Sequence, residues 1–63
     1  MFTVIDKFTG ELLEFDDKMD AEMIAQRRLS MHKNGYNLRR NHIAGCEKAN
    51  LKIEGRKYII DYE

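Results

Sequence analysis

Only one stretch of this chain is built to be a long helix, and it lies between runs that read as short strands. From Lys18 to Lys33 no glycine interrupts the chain, and the sequence contains no proline. Asp16 or Asp17 is placed to cap the start, and the acids of the first turn complement the helix dipole. Arg27, Arg28, His32 and Lys33 load the other end with the favourable sign. Asn34-Gly35 then supplies a stop, with either residue able to take a left-handed conformation. At about 100° per residue, Ala21, Ile24, Ala25, Arg28, Leu29, Met31 and His32 share one side. That pattern predicts a thin core stripe. Arg28 and His32 are expected at its border, their aliphatic or ring portions packed and their polar ends in water.

The strands are read from alternation and turn residues. Residues 2–6 have the β-branched and aromatic content of a strand, and Glu11 to Asp16 reads as its return partner. Between them Lys7-Phe8-Thr9-Gly10 is a tight turn in which Gly10 supplies the positive φ. After the helix, Tyr36 to Ile43 reads as an extended segment interrupted by Arg39-Arg40-Asn41. Ala44-Gly45 breaks it, and Cys46 to Asn50 reads as a loop or a single helical turn. Leu51-Lys52-Ile53-Glu54 and Lys57 to Tyr62 form a hairpin about Gly55-Arg56. The expectation is one α+β domain over residues 1–63, with one helix on one face of a four- to five-stranded sheet. The element order is ββα followed by two or three strands.

Met1, the first strand, the Thr9-Gly10 turn and the apolar return strand together resemble the opening hairpin of the ubiquitin-like β-grasp fold. The resemblance implies a β-grasp-like topology. The chain ends Asp61-Tyr62-Glu63 with no diglycine, so conjugation as a modifier is not expected.

Size sets the energetic problem. A domain of about 60 residues buries only ~60% of the surface its unfolded chain exposes. Its core rarely nets more than roughly 3–5 kcal/mol. Cys46 is the single cysteine, which excludes an internal disulfide and, with no signal-peptide pattern, predicts a cytoplasmic protein. No apolar run is long enough to span a membrane. Self-association or a bound partner is therefore the expected extra source of stability.

The apolar pattern on the strands points the same way. Met1, Thr3 and Ile5 fall on one side of the first strand, and Phe2 and Val4 on the other. Leu13 and Phe15 oppose Leu12 on the return strand, and Tyr58, Ile60 and Tyr62 oppose Ile59 on the final one. A sheet covered on one face alternates apolar and polar residues, whereas these strands carry apolar residues on both. Met19 and Met23 lie on the helix side away from the core stripe, and exposed methionines adapt readily to partners. These features predict a non-enzymatic binding or regulatory protein of adaptor or inhibitor type. It would act through protein–protein contact, with Phe2, Val4, Leu12, Met19, Met23 and Ile59 as the contact residues. A homodimer is the simplest form, with the final strand pairing edge to edge.

Charge supplies the alternative. The formal net charge is zero, but residues 1–23 carry seven acids against two lysines, and residues 24–63 carry nine bases against four acids. Folding is expected to neutralise one half with the other. The alternative is a nucleic-acid-binding surface of Arg27, Arg28, Lys33, Tyr36, Arg39, Arg40 and Lys48, in which Tyr36 stacks on a base. His42 belongs to the same basic run.

Catalytic readings are weaker. The spacing of His32, His42 and Cys46 matches no structural zinc pattern. Cys46 with His42 lacks an oxyanion hole, and a chain this short is expected to be too small to enclose a pocket of ~300 Å³. The glycines stand singly at turns rather than in a phosphate-binding loop. No catalytic residue, cofactor or metal is expected.

Overall fold

Asp17 starts the helix as its sequence position demands. Its backbone is extended (φ −103°, ψ 130°), and its side-chain oxygen accepts from the Met19 N–H at 3.0 Å. The helix α1 runs Lys18–Asn34 and stops at Gly35, whose φ of 82° is open to glycine at little cost. The computed structural model describes residues 1–38, 41–43 and 45–62, and within 36–38 and 41–43 it describes the backbone only.

Two hairpins flank the helix. The first is β1 (Phe2–Asp6) with β2 (Glu11–Phe15), closed by Gly10 at φ 79°. After the helix come β3 (Tyr36–Leu38) and β4 (Asn41–Ile43), which pair only with each other. The last pair is β5 (Asn50–Glu54) with β6 (Lys57–Asp61). The main sheet has the order β2-β1-β6-β5, with β1 and β6 parallel at its centre and antiparallel neighbours outside. One helix between two hairpins of a mixed four-stranded sheet is the α+β, β-grasp-like arrangement that the opening hairpin resembles. Between β4 and β5, residues 47–48 form a turn, and the Ala49 N–H donates to the Cys46 carbonyl at 3.1 Å.

The helix covers one face. Its core stripe is as the period predicts: Ala21, Ala25 and His32 are buried, and Ile24, Arg28, Leu29 and Met31 are half-buried, while its other residues are exposed. Against it pack Val4, Tyr58 and Ile60, with Phe2, Leu13, Phe15, Leu29 and Leu51 around them.

The opposite face is less apolar than the strand pattern suggests. Leu12, Ile5 and Ile59 are register partners across β2, β1 and β6, and the row ends on Lys52 of β5. The next row, Glu14, Thr3, Lys57 and Glu54, is polar throughout. One apolar row therefore remains on this face, rather than a second core. Terminal-strand dimerisation is also corrected. β6 lies between β1 and β5, so its backbone groups are used on both sides and it has no edge to offer a second copy. No helix among the described residues is long and apolar enough to cross a membrane.

Candidate functional site

Period-two alternation places Phe2, Val4 and Asp6 on the helix-facing side of β1, and Asp6 is fully buried there. Its Oδ1 accepts from the Phe8 N–H at 2.9 Å and the Thr9 N–H at 3.3 Å, which ties down the β1–β2 turn. Its Oδ2 meets Nε2 of His32 at 2.7 Å and Nη1 of Arg28 at 3.0 Å. Burial pushes the Asp6 carboxyl up, but the hydrogen bonds from His32 and Arg28 outweigh it and hold the group below its ordinary value. Nη1 of Arg28 also donates to Glu11 Oε1 at 2.6 Å, which lowers the Glu11 carboxyl and raises the guanidinium. The Phe8 ring stacks on the His32 imidazole, centroids 4.3 Å apart and 6° from parallel. His32 is thus a buried partner of an aspartate, rather than a border residue with its polar end in water.

This polar cluster stands in the wall of a groove between α1 and β2. The groove measures about 430 Å³. It is an open groove rather than an enclosed cavity, and so differs in kind from the enclosed pocket of ~300 Å³ that a chain this short is expected to lack. Leu13 and Phe15 line it from the strand and Ile24 and Met31 from the helix, with the exposed Arg27 on its rim. The apolar lining offers burial, and the arginine offers a charge. The Asp6–His32 pair has the composition of a catalytic base, but Nε2 of His32 is turned onto Asp6 and its ring face is covered by Phe8.

β2 is one of the two outer strands of the main sheet, β5 being the other, and it is the one beside the groove. The Thr3 N–H donates to Arg56 and the Lys7 N–H to Ile60, so these β1 residues turn their backbone toward β6. Successive residues along a strand present their backbone groups to alternate sides. Phe2, Val4 and Asp6 therefore bond to their register partners Phe15, Leu13 and Glu11 on β2. That leaves the N–H and C=O of Leu12 and Glu14 pointing outward, alongside the groove.

The contact residues expected from the sequence do not form one surface. Val4 has no exposure and Phe2 packs on the core, which removes Val4 from any contact made by the folded molecule. Leu12 and Ile59 lie on the open sheet face. Met19 and Met23 are 76% and 55% exposed and line a shallow cleft with Glu22 and Gln26 on the outer side of the helix.

In the basic set, Arg28 is committed to Asp6 and Glu11, which removes its charge from a phosphate-binding role. Arg27, Lys33 and Lys48 are exposed. Arg39 and Arg40 lie outside the described residues, as do the side chains of Tyr36 and His42. The Arg28 pairs join one base of the second half of the chain to two acids of the first. A second buried acid, Asp61, takes Lys7 at 3.3 Å and Lys52 at 3.2 Å on Oδ2, and the Tyr62 N–H at 2.7 Å on Oδ1. That backbone donor, then the lysines, lowers its carboxyl against the opposing effect of burial. Among the described residues no group of three or more His, Cys, Asp or Glu is arranged to hold a metal ion.

The Asp6 cluster and the groove were missed in the sequence, although a signal for the first exists. Asp6 continues the inward-facing run of Phe2 and Val4, and Arg28 and His32 continue the inward-facing helix stripe. Polar residues at core positions of two elements imply a mutual contact. The chain matches no protein family model, no curated protein and no solved structure.

Proposed function

We propose that this protein is a non-enzymatic binding module that acts through protein–protein contact, with the groove between α1 and β2 as its contact surface. The observation that carries the reading is the apolar lining of Leu13, Phe15, Ile24 and Met31 beside an outer strand. Exposed apolar surface rimmed by polar residues marks interaction sites, and this groove has that constitution. The open sheet face offers one apolar row, and the Met19–Met23 side a shallow cleft. Nucleic-acid binding is less favoured, because Arg28 is already neutralised by two carboxylates.

Three single substitutions separate the surfaces: Met31→Asp in the groove, Leu12→Asp on the open sheet face and Met23→Asp on the outer helix. With folding verified by circular dichroism, partners captured by the wild-type chain should be lost with Met31→Asp and kept with the other two. Capture that ignores Met31→Asp, or that depends on Leu12 or Met23 instead, overturns the assignment. Sedimentation of the same variants tells a foreign partner from a second copy, since only a homodimer sediments faster with protein concentration alone.

A further inference from the structure

Resting on that reading, we infer that the occupant of the groove is an extended peptide segment that adds to the sheet beside β2, with an acidic residue meeting Arg27. Two observations converge on this occupant. The first is backbone chemistry: the outward N–H and C=O groups of Leu12 and Glu14 lie on an outer strand. Among the described residues no backbone hydrogen bond reaches them. An added strand satisfies such a row and gives affinity through main-chain bonds, while pockets for alternate side chains give specificity.

The second observation is charge at the rim. Arg28 is neutralised by Asp6 and Glu11, whereas Arg27, one residue away and exposed, makes no ion pair among the described residues. Asp6 and Glu11 thus share the one guanidinium of Arg28, and Arg27 is an exposed base at the rim of an apolar floor. A complementary segment has aliphatic side chains at every second position, directed at Ile24 and Met31, and a carboxylate within reach of Arg27. A helical partner would present apolar side chains every three or four residues and would leave the edge groups of Leu12 and Glu14 to water.

The test uses the whole 63-residue chain and synthetic ten-residue peptides with blocked ends. One set alternates isoleucine or valine with threonine and ends in two aspartates. A second set ends in two lysines instead. A third has the composition of the first, with its apolar residues moved to helical spacing. Amide exchange and chemical shifts are followed by NMR. The aspartate-ended alternating peptide should bind at least tenfold more tightly than either of the others and should slow exchange at Leu12 and Glu14.

Arg27→Glu should reverse the order of the aspartate- and lysine-ended peptides. Because the chain is short enough for chemical synthesis, the Glu14 amide can be N-methylated with its side chain intact, which should weaken binding at least tenfold. Equal or better binding of the helically spaced peptide, or unchanged exchange at Leu12 and Glu14, overturns strand addition. If that helically spaced peptide is then lost with Met31→Asp, the groove remains a protein contact and only the extended occupant is wrong. Slowed exchange at Leu12 and Glu14 that grows with protein concentration in the absence of peptide makes the occupant a second copy and overturns the foreign-peptide proposal. No binding of any peptide overturns it as well.

Discussion

Nε2 of His32, in the last turn of the helix, lies 2.7 Å from Oδ2 of Asp6, at the end of the first strand. The two residues are 26 positions apart in the chain, and both are buried. The contact joins the helix C-terminus to the turn that opens β2, because the other oxygen of Asp6 holds the amides of Phe8 and Thr9.

Asp6→Ala should therefore remove a turn cap and strand Arg28 and His32 beneath the sheet in one step. Breaking a buried pair by deleting one partner costs about 3–5 kcal/mol. That equals the roughly 3–5 kcal/mol available to a domain of this size. The variant is expected to be largely unfolded at room temperature by circular dichroism. Asp6→Asn keeps an oxygen for the turn amides and forfeits the charge, so its urea midpoint should fall between wild type and Asp6→Ala.

Acid should unfold the protein through the same groups. The carboxyls of Asp6, Asp61 and Glu11 are all held below their ordinary values in the fold. A group depressed in this way stabilises the native state above its unfolded pKa, and that contribution disappears as pH falls through the folded pKa. Thermal midpoints should be flat from neutrality down to about pH 5 and drop below about pH 4, where free carboxylates begin to protonate. A midpoint unchanged at pH 3 would show that these ion pairs do not support the fold.

Gly45 tests how the segment after β4 is docked. A Cβ at this position would sit 2.6 Å from the Lys33 carbonyl oxygen and 2.8 Å from the Asn34 carbonyl carbon. The next residue, Cys46, donates its N–H to the His32 carbonyl at 2.8 Å, which satisfies an acceptor at the helix end. Gly45→Ala must push the two chains apart, and overpacking of this kind costs about 1–3 kcal/mol. Chemical denaturation should register that loss, together with faster exchange of the Cys46 amide.

Neighbouring residues on β6 should respond very differently. Ile60 is fully buried under the helix, whereas Ile59 lies half-buried in the open-face row. Ile60→Ala should cost about 2–5 kcal/mol and bring the domain to the edge of unfolding. Ile59→Ala should cost clearly less. Equal losses in urea would mean that something covers the open face as fully as the helix covers its own.

The pattern of legible and illegible features follows from the range over which each is decided. The Asp17 cap, the stop at Gly35, the core stripe from Ala21 to His32 and the positive φ of Gly10 are set by residues within one or two turns, and all are as their local sequence requires. Strand faces are also local, and Leu12, Ile5 and Ile59 fall on the side that alternation assigns. Strand order is different, because nothing local to Lys57–Asp61 says that this strand enters between β1 and β5 rather than ending at an edge. The groove is farther from view still. It is formed jointly by residues of β2 and of α1, and no periodicity within Glu11–Phe15 or within α1 encodes how the two elements sit together.

The central position of β6 has a consequence for how the molecule assembles. The hairpin of β1 and β2 and the helix can each begin to form from neighbouring residues, but the sheet is two unconnected halves until residues 57–61 slot in parallel to residues 3–6. A pairing that spans nearly the whole sequence carries a loop-closure cost that is met before its contacts give anything back, and non-local pairings of this kind slow folding. The two halves of the sheet are thus joined by a single long-range strand pairing at its centre.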